Sequence, residues 1–203
     1  MSSVRDGRLL INVGCGPPNS GRLPAFFNDW RQLRVDSDTA VAPDVLADLT
    51  DLSPIESGSV DAIWAAHCIE HLYDFQVPQA LAEFRRVLSA GGFACILVPD
   101  LQSIAQYVAA DRMHETLYQS AAGPVTPHDI IFGFSPAIAG GRPSMAHRCG
   151  FTPSRLQQCF HGTTFGEVVL RRRSTELELA AVARVLPAPS EVERAALMSA
   201  LEL

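Results

Sequence analysis

The chain has 203 residues, 47% of them hydrophobic, which supplies apolar surface for one sizeable core and leaves too little length for a second full domain. A formal charge of -6 opposes any general attraction to phosphate backbones, which requires clustered Lys and Arg, so nucleic acid becomes a minor substrate class. No run is long and apolar enough to span a bilayer and the N-terminus lacks a signal-peptide pattern, so the expected location is the cytoplasm and no membrane partner is expected.

Short apolar runs alternate with helical patterns through the first half, the signature of a parallel sheet in an α/β fold. Arg8–Val13 reads as a first buried strand, Leu23–Trp30 as a short helix, Leu33–Asp36 as a second strand and Val45–Ala47 as a third. Val60–Ala66 reads as a fourth strand. Gln79–Leu88 has the apolar spacing of an amphipathic helix that stops before Gly91 and Gly92, and Phe93–Val98 reads as a fifth strand ended by Pro99. Leu101–Ala110 is helical in pattern. Asp111–Gly150 then loses periodicity and gathers Gly, Pro, His and Ser, as expected of a lid insertion that recognises substrate. Thr152–Phe160 begins with a capping Thr and a Pro at the first helical position. Glu167–Leu170 and Leu177–Val185 suit a terminal hairpin, and a polar-faced helix from Ser190 closes the chain. Five cysteines with no CxxC pair read as reduced, mostly buried thiols.

The most informative segment runs from Leu9 through Val13, Gly14, Cys15 and Gly16 to Pro17, Pro18, Asn19, Ser20 and Gly21. A hydrophobic strand entering closely spaced glycines lets the backbone turn sharply and lets a ligand approach the peptide groups. Asp36 ends the next strand about 20 residues onward, where an acid can accept hydrogen bonds from ribose hydroxyls, with Ser37 and Asp38 beside it. Together these residues indicate an adenosine-containing cofactor. A nicotinamide cofactor would want a third glycine where Asn19 stands and an early helix N-terminus for its pyrophosphate, whereas Pro17 and Pro18 delay the helix.

With these residues in order, the sequence resembles the class I methyltransferases, most closely the methyltransferase type 11-like proteins. The matching stretches are Val13-Gly14-Cys15-Gly16, Val35-Asp36, Ala47-Asp48-Leu49 with Leu52, Gly58–Trp64, His67–Leu72 and Phe84–Gly92. They cover about residues 8 to 100. The resemblance implies a Rossmann-like, seven-stranded, mostly parallel sheet flanked by helices, with the seventh strand antiparallel, and S-adenosylmethionine as cofactor. It places Gly14, Cys15 and Gly16 against the methionine and ribose parts, Asp36 and Ser37 at the ribose, Asp48 and Leu49 at the adenine, and Ala66 and His67 near the transferable methyl. The family often carries an acid where this chain has Asn12.

Methyl transfer from a sulfonium needs positioning and exclusion of water, and an oxygen acceptor also needs a base. His128, next to Asp129, is the first candidate, His147 the second and His67 the third; His114, Phe132 and Arg148 share the expected lid with the first two. His67-Cys68-Ile69-Glu70-His71 matches the H-x-x-E-H pattern of inverted zinc peptidases, but that pattern demands a helix and this stretch follows a strand, so no metal is expected and His71 reads as a packing or capping imidazole. The Arg171-Arg172-Arg173 run reads as a solvated strand edge. The expected acceptor is a small molecule, a glycan or a natural-product intermediate. The alternative is a catalytically silent, cofactor-binding scaffold protein. A reductase using a Tyr-x-x-x-Lys pair is excluded, because the chain contains no lysine. The sequence leaves room for a homodimer.

Overall fold

The computed structural model describes residues 7–18, 23–120, 122–187 and 190–201. Its strands are β1 (Leu9–Val13), β2 (Arg31–Asp36), β3 (Val45–Leu46), β4 (Val60–Ala66), β5 (Leu88–Pro99), β6 (Tyr118–Ser120), β7 (Gly123–Val125), β8 (Glu167–Arg173) and β9 (Glu178–Arg184). The helices are α1 (Val77–Val87), α2 (Leu101–Ala109), α3 (Pro127–Phe132), α4 (Ser135–Ala139), α5 (Pro153–Cys159) and α6 (Glu191–Ala200). Seven strands form one sheet in the order β3-β2-β1-β4-β5-β9-β8. The first five are parallel, and β9 alone runs against its neighbours on both sides. That is the expected Rossmann-like sheet with its final strand antiparallel.

The apolar runs become the central strands because both of their faces are covered. On one face α1 and α5 pack over Ile11, Ile63, Ile96 and Ala181. α1 buries Val77, Ala80, Leu81, Phe84 and Val87, the stripe its sequence spacing predicts. On the other face Phe27, Trp64 and Phe93 meet Leu197, Met198 and Leu201 at the end of the chain. The expected helix at Leu23–Trp30 is instead a single 3-10 turn, Ala25–Phe27. Phe26 and Phe27 pack edge-on at 5.0 Å and both touch Trp30 and Phe93, so aromatic packing overrides a weak local preference for helix.

Two further expectations are corrected. β5 starts at Leu88 rather than Phe93, because Gly91 takes a φ of +76° and a register shift opposite Val60–Ala62 absorbs the glycines as a bulge. The arginine run is not simply solvated: Arg172 Nε lies 2.6 Å from the fully buried carboxylate of Asp100, and Arg173 Nη1 lies 2.6 Å from Glu178. Asp100 needs that partner because it also caps α2, accepting from Gln102 N. The helix at Thr152 is as expected, with the Thr152 hydroxyl accepting from Arg155 N.

Residues 111–150, expected to be irregular, hold the β6–β7 hairpin, α3, α4 and a 3-10 turn at Pro143–Met145. Short periodic elements escape a periodicity reading because each offers fewer than two turns. No helix among the described residues is long and apolar enough to cross a membrane. No disulfide joins the five cysteines, four of which are buried.

Candidate active site

The strand order reverses between β1 and β4: one half of the sheet grows outward through β2 and β3, the other through β5. A crevice opens at the C-terminal ends of strands at such a point, and ligands of open α/β sheets bind there. Gly14 and Gly16 turn the chain over this end of β1, both at φ +61°. They serve different ends. A Cβ at Gly14 would lie 2.5 Å from Cys68 Cβ, so this glycine lets the turn after β1 press against the turn after β4. A Cβ at Gly16 would meet nothing within 4 Å, so the space beside its Cα is open to an approaching ligand.

Asp36 ends β2 across from this turn. Its Oδ2 accepts from Gly16 N and its Oδ1 from Asp38 N, each at 3.0 Å, and a carboxylate retains further acceptor capacity for hydroxyls. Arg34 braces the arrangement by donating from Nη2 to Gly16 O at 2.6 Å and from Nη1 to Ala42 O at 2.7 Å. Ser37 is exposed beside Asp36, while Asp38 caps the next 3-10 turn by accepting from Ala40 N. Cys15 is buried, and burial chiefly pushes its thiol up. Asp48 holds its own turn by accepting from Thr50 N and Oγ1 at 2.8 and 2.6 Å, which leaves the half-buried Leu49 against the core. Asn19, Ser20 and Gly21 lie outside the described residues. Among the described residues no α-helix begins between β1 and β2. The open space at Gly16 and the acid one strand away fit an adenosine-containing cofactor.

Ala66 ends β4 buried, and His67 follows at φ +52°. Its Nε2 lies 2.7 Å from Glu178 Oε1 and its Nδ1 lies 3.4 Å from Glu70 Oε1. Burial opposes charge on this ring, but the two carboxylates outweigh it and raise the pKa from 6.5 to about 9. An imidazolium with both nitrogens engaged positions its neighbours rather than accepting a proton. The stability it contributes is fully present below pH 6.5 and is lost as pH rises through about 9. In chelator-treated protein, wild type should lose about 2 kcal/mol more than His67→Gln between pH 6 and pH 10, after allowing for the ring's partial exposure. Parallel urea denaturations at the two pH values check this, and equal losses would refute it.

Glu70 sits in a 3-10 turn, Ile69–His71, not in a helix, which removes the geometry of the inverted zinc peptidases. Its side chain is 1% exposed, and neither carboxylate oxygen accepts a hydrogen bond among the described residues. Burial opposes its ionisation, yet chiefly the charged His67 beside it holds it below the usual carboxylate range. His71 Nδ1 donates to Ala146 O at 3.2 Å and His147 Nδ1 donates to Ile130 O at 2.8 Å. A carbonyl only accepts, so both rings, when neutral, carry their proton on Nδ1 and present a lone pair on Nε2. Burial first of all lowers the His147 pKa, which keeps it neutral and able to take a proton. The two rings meet edge-on at 4.8 Å. Arg148 N and Cys149 N both donate to Glu70 O, at 2.8 and 3.2 Å, fastening this strip to the turn after β4.

A cavity of about 240 Å³ opens beside this group, lined by Glu70, Leu101, Ile131, Phe132, His147 and Phe151. His147 lines it, and His67 lies behind Glu70, outside the lining. His128 stands apart: Ser135 Oγ is 3.3 Å from its Nδ1, and its ring stacks on His114 at 5.5 Å. Asp129 does not orient His128, because its oxygens are taken by Thr126 and by Ser135 N in the capping box of α3. The residue that sequence reasoning passed over is Glu70. The quoted H-x-x-E-H stretch contained it, but only the return of the chain at Ala146–Cys149 shows why it matters.

Residues 25–96 match a family model described as a methyltransferase domain. The chain is 33% identical over 115 residues to an uncharacterized 37.1 kDa protein in a transposon of Streptomyces fradiae, covering 50% of this chain and 33% of that one. It thus spans about a third of the length of that curated relative. Among solved structures it is similar to an S-adenosylmethionine-dependent methyltransferase of Archaeoglobus fulgidus, with a TM-score of 0.57 at 13% identity over 89% of this chain and 87% of that one. It is also similar to a methyltransferase of the same cofactor class from Mesorhizobium loti, with a TM-score of 0.56 at 15% identity over 88% and 91% of the two chains.

Proposed function

We propose that this protein binds S-adenosylmethionine and transfers its methyl group to a small-molecule, glycan or natural-product acceptor: residues 25–96 match the methyltransferase domain model, and the sheet that carries them has the fold of the methyltransferases it resembles. The observation that carries the reading is the open space at Gly16, beside an Asp36 carboxylate that holds its N–H, at the reversal of strand order. Gly14, Cys15 and Gly16 would line the methionine and ribose, Asp36 and Ser37 the ribose hydroxyls, Asp48 and Leu49 the adenine, and Ala66 with His67 the sulfonium end.

When bound, the cofactor supplies an electrophilic methyl, displaced in line from sulfur by a lone pair of the acceptor. The chain's own residues do the rest. The apolar walls formed by Leu101, Phe132 and Phe151 exclude water from the acceptor, and the neutral His147 takes the proton an oxygen acceptor must lose. His67, held charged between Glu70 and Glu178, positions those carboxylates. His128, engaged with Ser135 and His114, has the weaker claim on the acceptor. An acidic chain suits a cytoplasmic enzyme for metabolites better than one for nucleic acid.

Calorimetric titration with S-adenosylhomocysteine tests the cofactor half. Asp36→Ala should bind about 30-fold more weakly than wild type, roughly 2 kcal/mol for lost charge-assisted hydrogen bonds to two hydroxyls. Binding of NADH with none of the sulfur ligand would overturn the reading. Sulfur-ligand binding without turnover on any acceptor of a metabolite panel would favour the silent scaffold.

A further inference from the structure

We propose that Glu70, His71 and His147 form a binding site for a divalent transition-metal ion of the zinc and manganese class, with open coordination positions facing the acceptor cavity. One ligand-capable atom from each of these residues lies within 4.8 Å of the other two. Donors around a tetrahedral zinc stand about 3.3 Å apart, given bonds of about 2.0 Å, so closing the set takes displacements of about 1 Å per side chain. Side-chain rotation and a small movement of the strip Ala146–Cys149 supply that.

Two independent features point to a cation. The first is Glu70: a carboxylate with 1% exposure, neither oxygen of which accepts a hydrogen bond among the described residues, is costly to bury. Its one cationic neighbour among them is His67 Nδ1 at 3.4 Å, on a ring whose Nε2 serves Glu178 at 2.7 Å, so one charge is shared between two carboxylates. The second is the orientation of the two imidazoles. Metal-binding histidines almost always donate their other N–H to a carbonyl or carboxylate, which fixes the tautomer and the ring plane. His71 donates to Ala146 O and His147 to Ile130 O, leaving Nε2 of each as the ligand atom. Cys149 stays out of the set, because its thiol is directed at Ile69 O at 3.5 Å.

Two imidazoles and one carboxylate suit zinc, manganese or ferrous iron and leave positions for water or substrate. Phe132, Ile131, Leu101 and Phe151 surround those positions with apolar surface. The ligand class that follows is an acceptor with an apolar body and an oxygen that ligates the ion, which would lower the pKa of that oxygen before methylation, so that His147, as a ligand in the loaded site, gives up the role of base and the proton leaves to solvent. This last step rests on the methyltransferase reading; the metal site itself does not.

The test is equilibrium dialysis of the full, chelator-stripped chain against micromolar zinc chloride, with the metal counted by mass spectrometry. Wild type should retain one zinc per chain, and His147→Ala and Glu70→Gln should each bind at least about 100-fold more weakly. Circular dichroism of both variants must match wild type. Should either variant fail to fold, the electronic spectrum of the cobalt-substituted wild-type chain decides: nitrogen and oxygen ligation supports the site, and thiolate-to-metal charge transfer overturns it. A wild-type chain that retains no zinc, or folded variants that retain it undiminished, also overturns it. Titrating the stripped chain with S-adenosylhomocysteine keeps the two readings separate: bound nucleoside with no bound zinc refutes the metal site alone, and bound zinc with no bound nucleoside refutes the cofactor reading alone.

Discussion

Gly133→Ala is expected to cost about 4 kcal/mol of stability and to weaken zinc retention while leaving S-adenosylhomocysteine affinity within about twofold of wild type. Gly133 closes α3 at φ +98° and ψ 158°, a region reserved almost wholly for glycine, and its N–H donates to Asp129 O. An added Cβ would lie 2.1 Å from Met145 O, 2.8 Å from Ala146 Cα and 3.0 Å from His147 N. All three are backbone atoms, so no side-chain rotation relieves the clash. Backbone strain of about 1–3 kcal/mol adds to an overpacking cost of similar size. The Gly133–Ala146 bridge and the His147 N–H bond to Phe132 O are the contacts that aim His147 at Glu70, so the damage falls on that group first. The control is Gly141→Ala, which also has a positive φ, +89°, but nothing within 4 Å of the added Cβ. Urea denaturation followed by tryptophan fluorescence measures both, and equal losses would remove the steric argument.

Gly14→Ala is the second large effect, about 3 kcal/mol, and it should also abolish cofactor binding. Left-handed backbone costs an alanine about 1–2 kcal/mol, and a Cβ placed 2.5 Å from Cys68 Cβ adds the rest. Because the clash is with a β-carbon, Cys68→Ala in the same chain cannot rescue it, whereas Cys68→Gly relieves it in part. Gly16→Ala shares the φ of +61° and lacks the clash, so it should cost only about 1 kcal/mol. If the two alanine variants unfold at the same urea concentration, the close approach of the two turns does not carry the difference.

The centre of the sheet was legible because β1, β4, β5 and β9 are largely buried and so read as mostly apolar runs: Val60–Ala66 is β4 to the residue. The glycine turn was legible because left-handed backbone restricts residue type at fixed spacing, and Asp36 lies beside it, accepting from Gly16 N. The histidines were not. Their roles depend on partners distant in sequence, Glu178 for His67, Ile130 for His147 and Ala146 for His71, and no periodicity reports such pairings. Asp129 beside His128 illustrates the opposite error, since adjacency in sequence suggested a pair where the carboxylate instead caps a helix.

β3 meets β2 through only two residue pairs, Val35 with Val45 and Asp36 with Leu46, whereas β4 and β5 lie at the buried centre of the sheet. The acid we propose for the ribose therefore stands on the penultimate strand and the turn we propose for the adenine just beyond the outermost one, where local opening costs least. A nucleoside bridging Asp36 and Leu49 would act as the missing rung of that ladder. Part of its binding free energy goes into ordering the margin of the sheet, and occupancy and rigidity there become one thermodynamic variable.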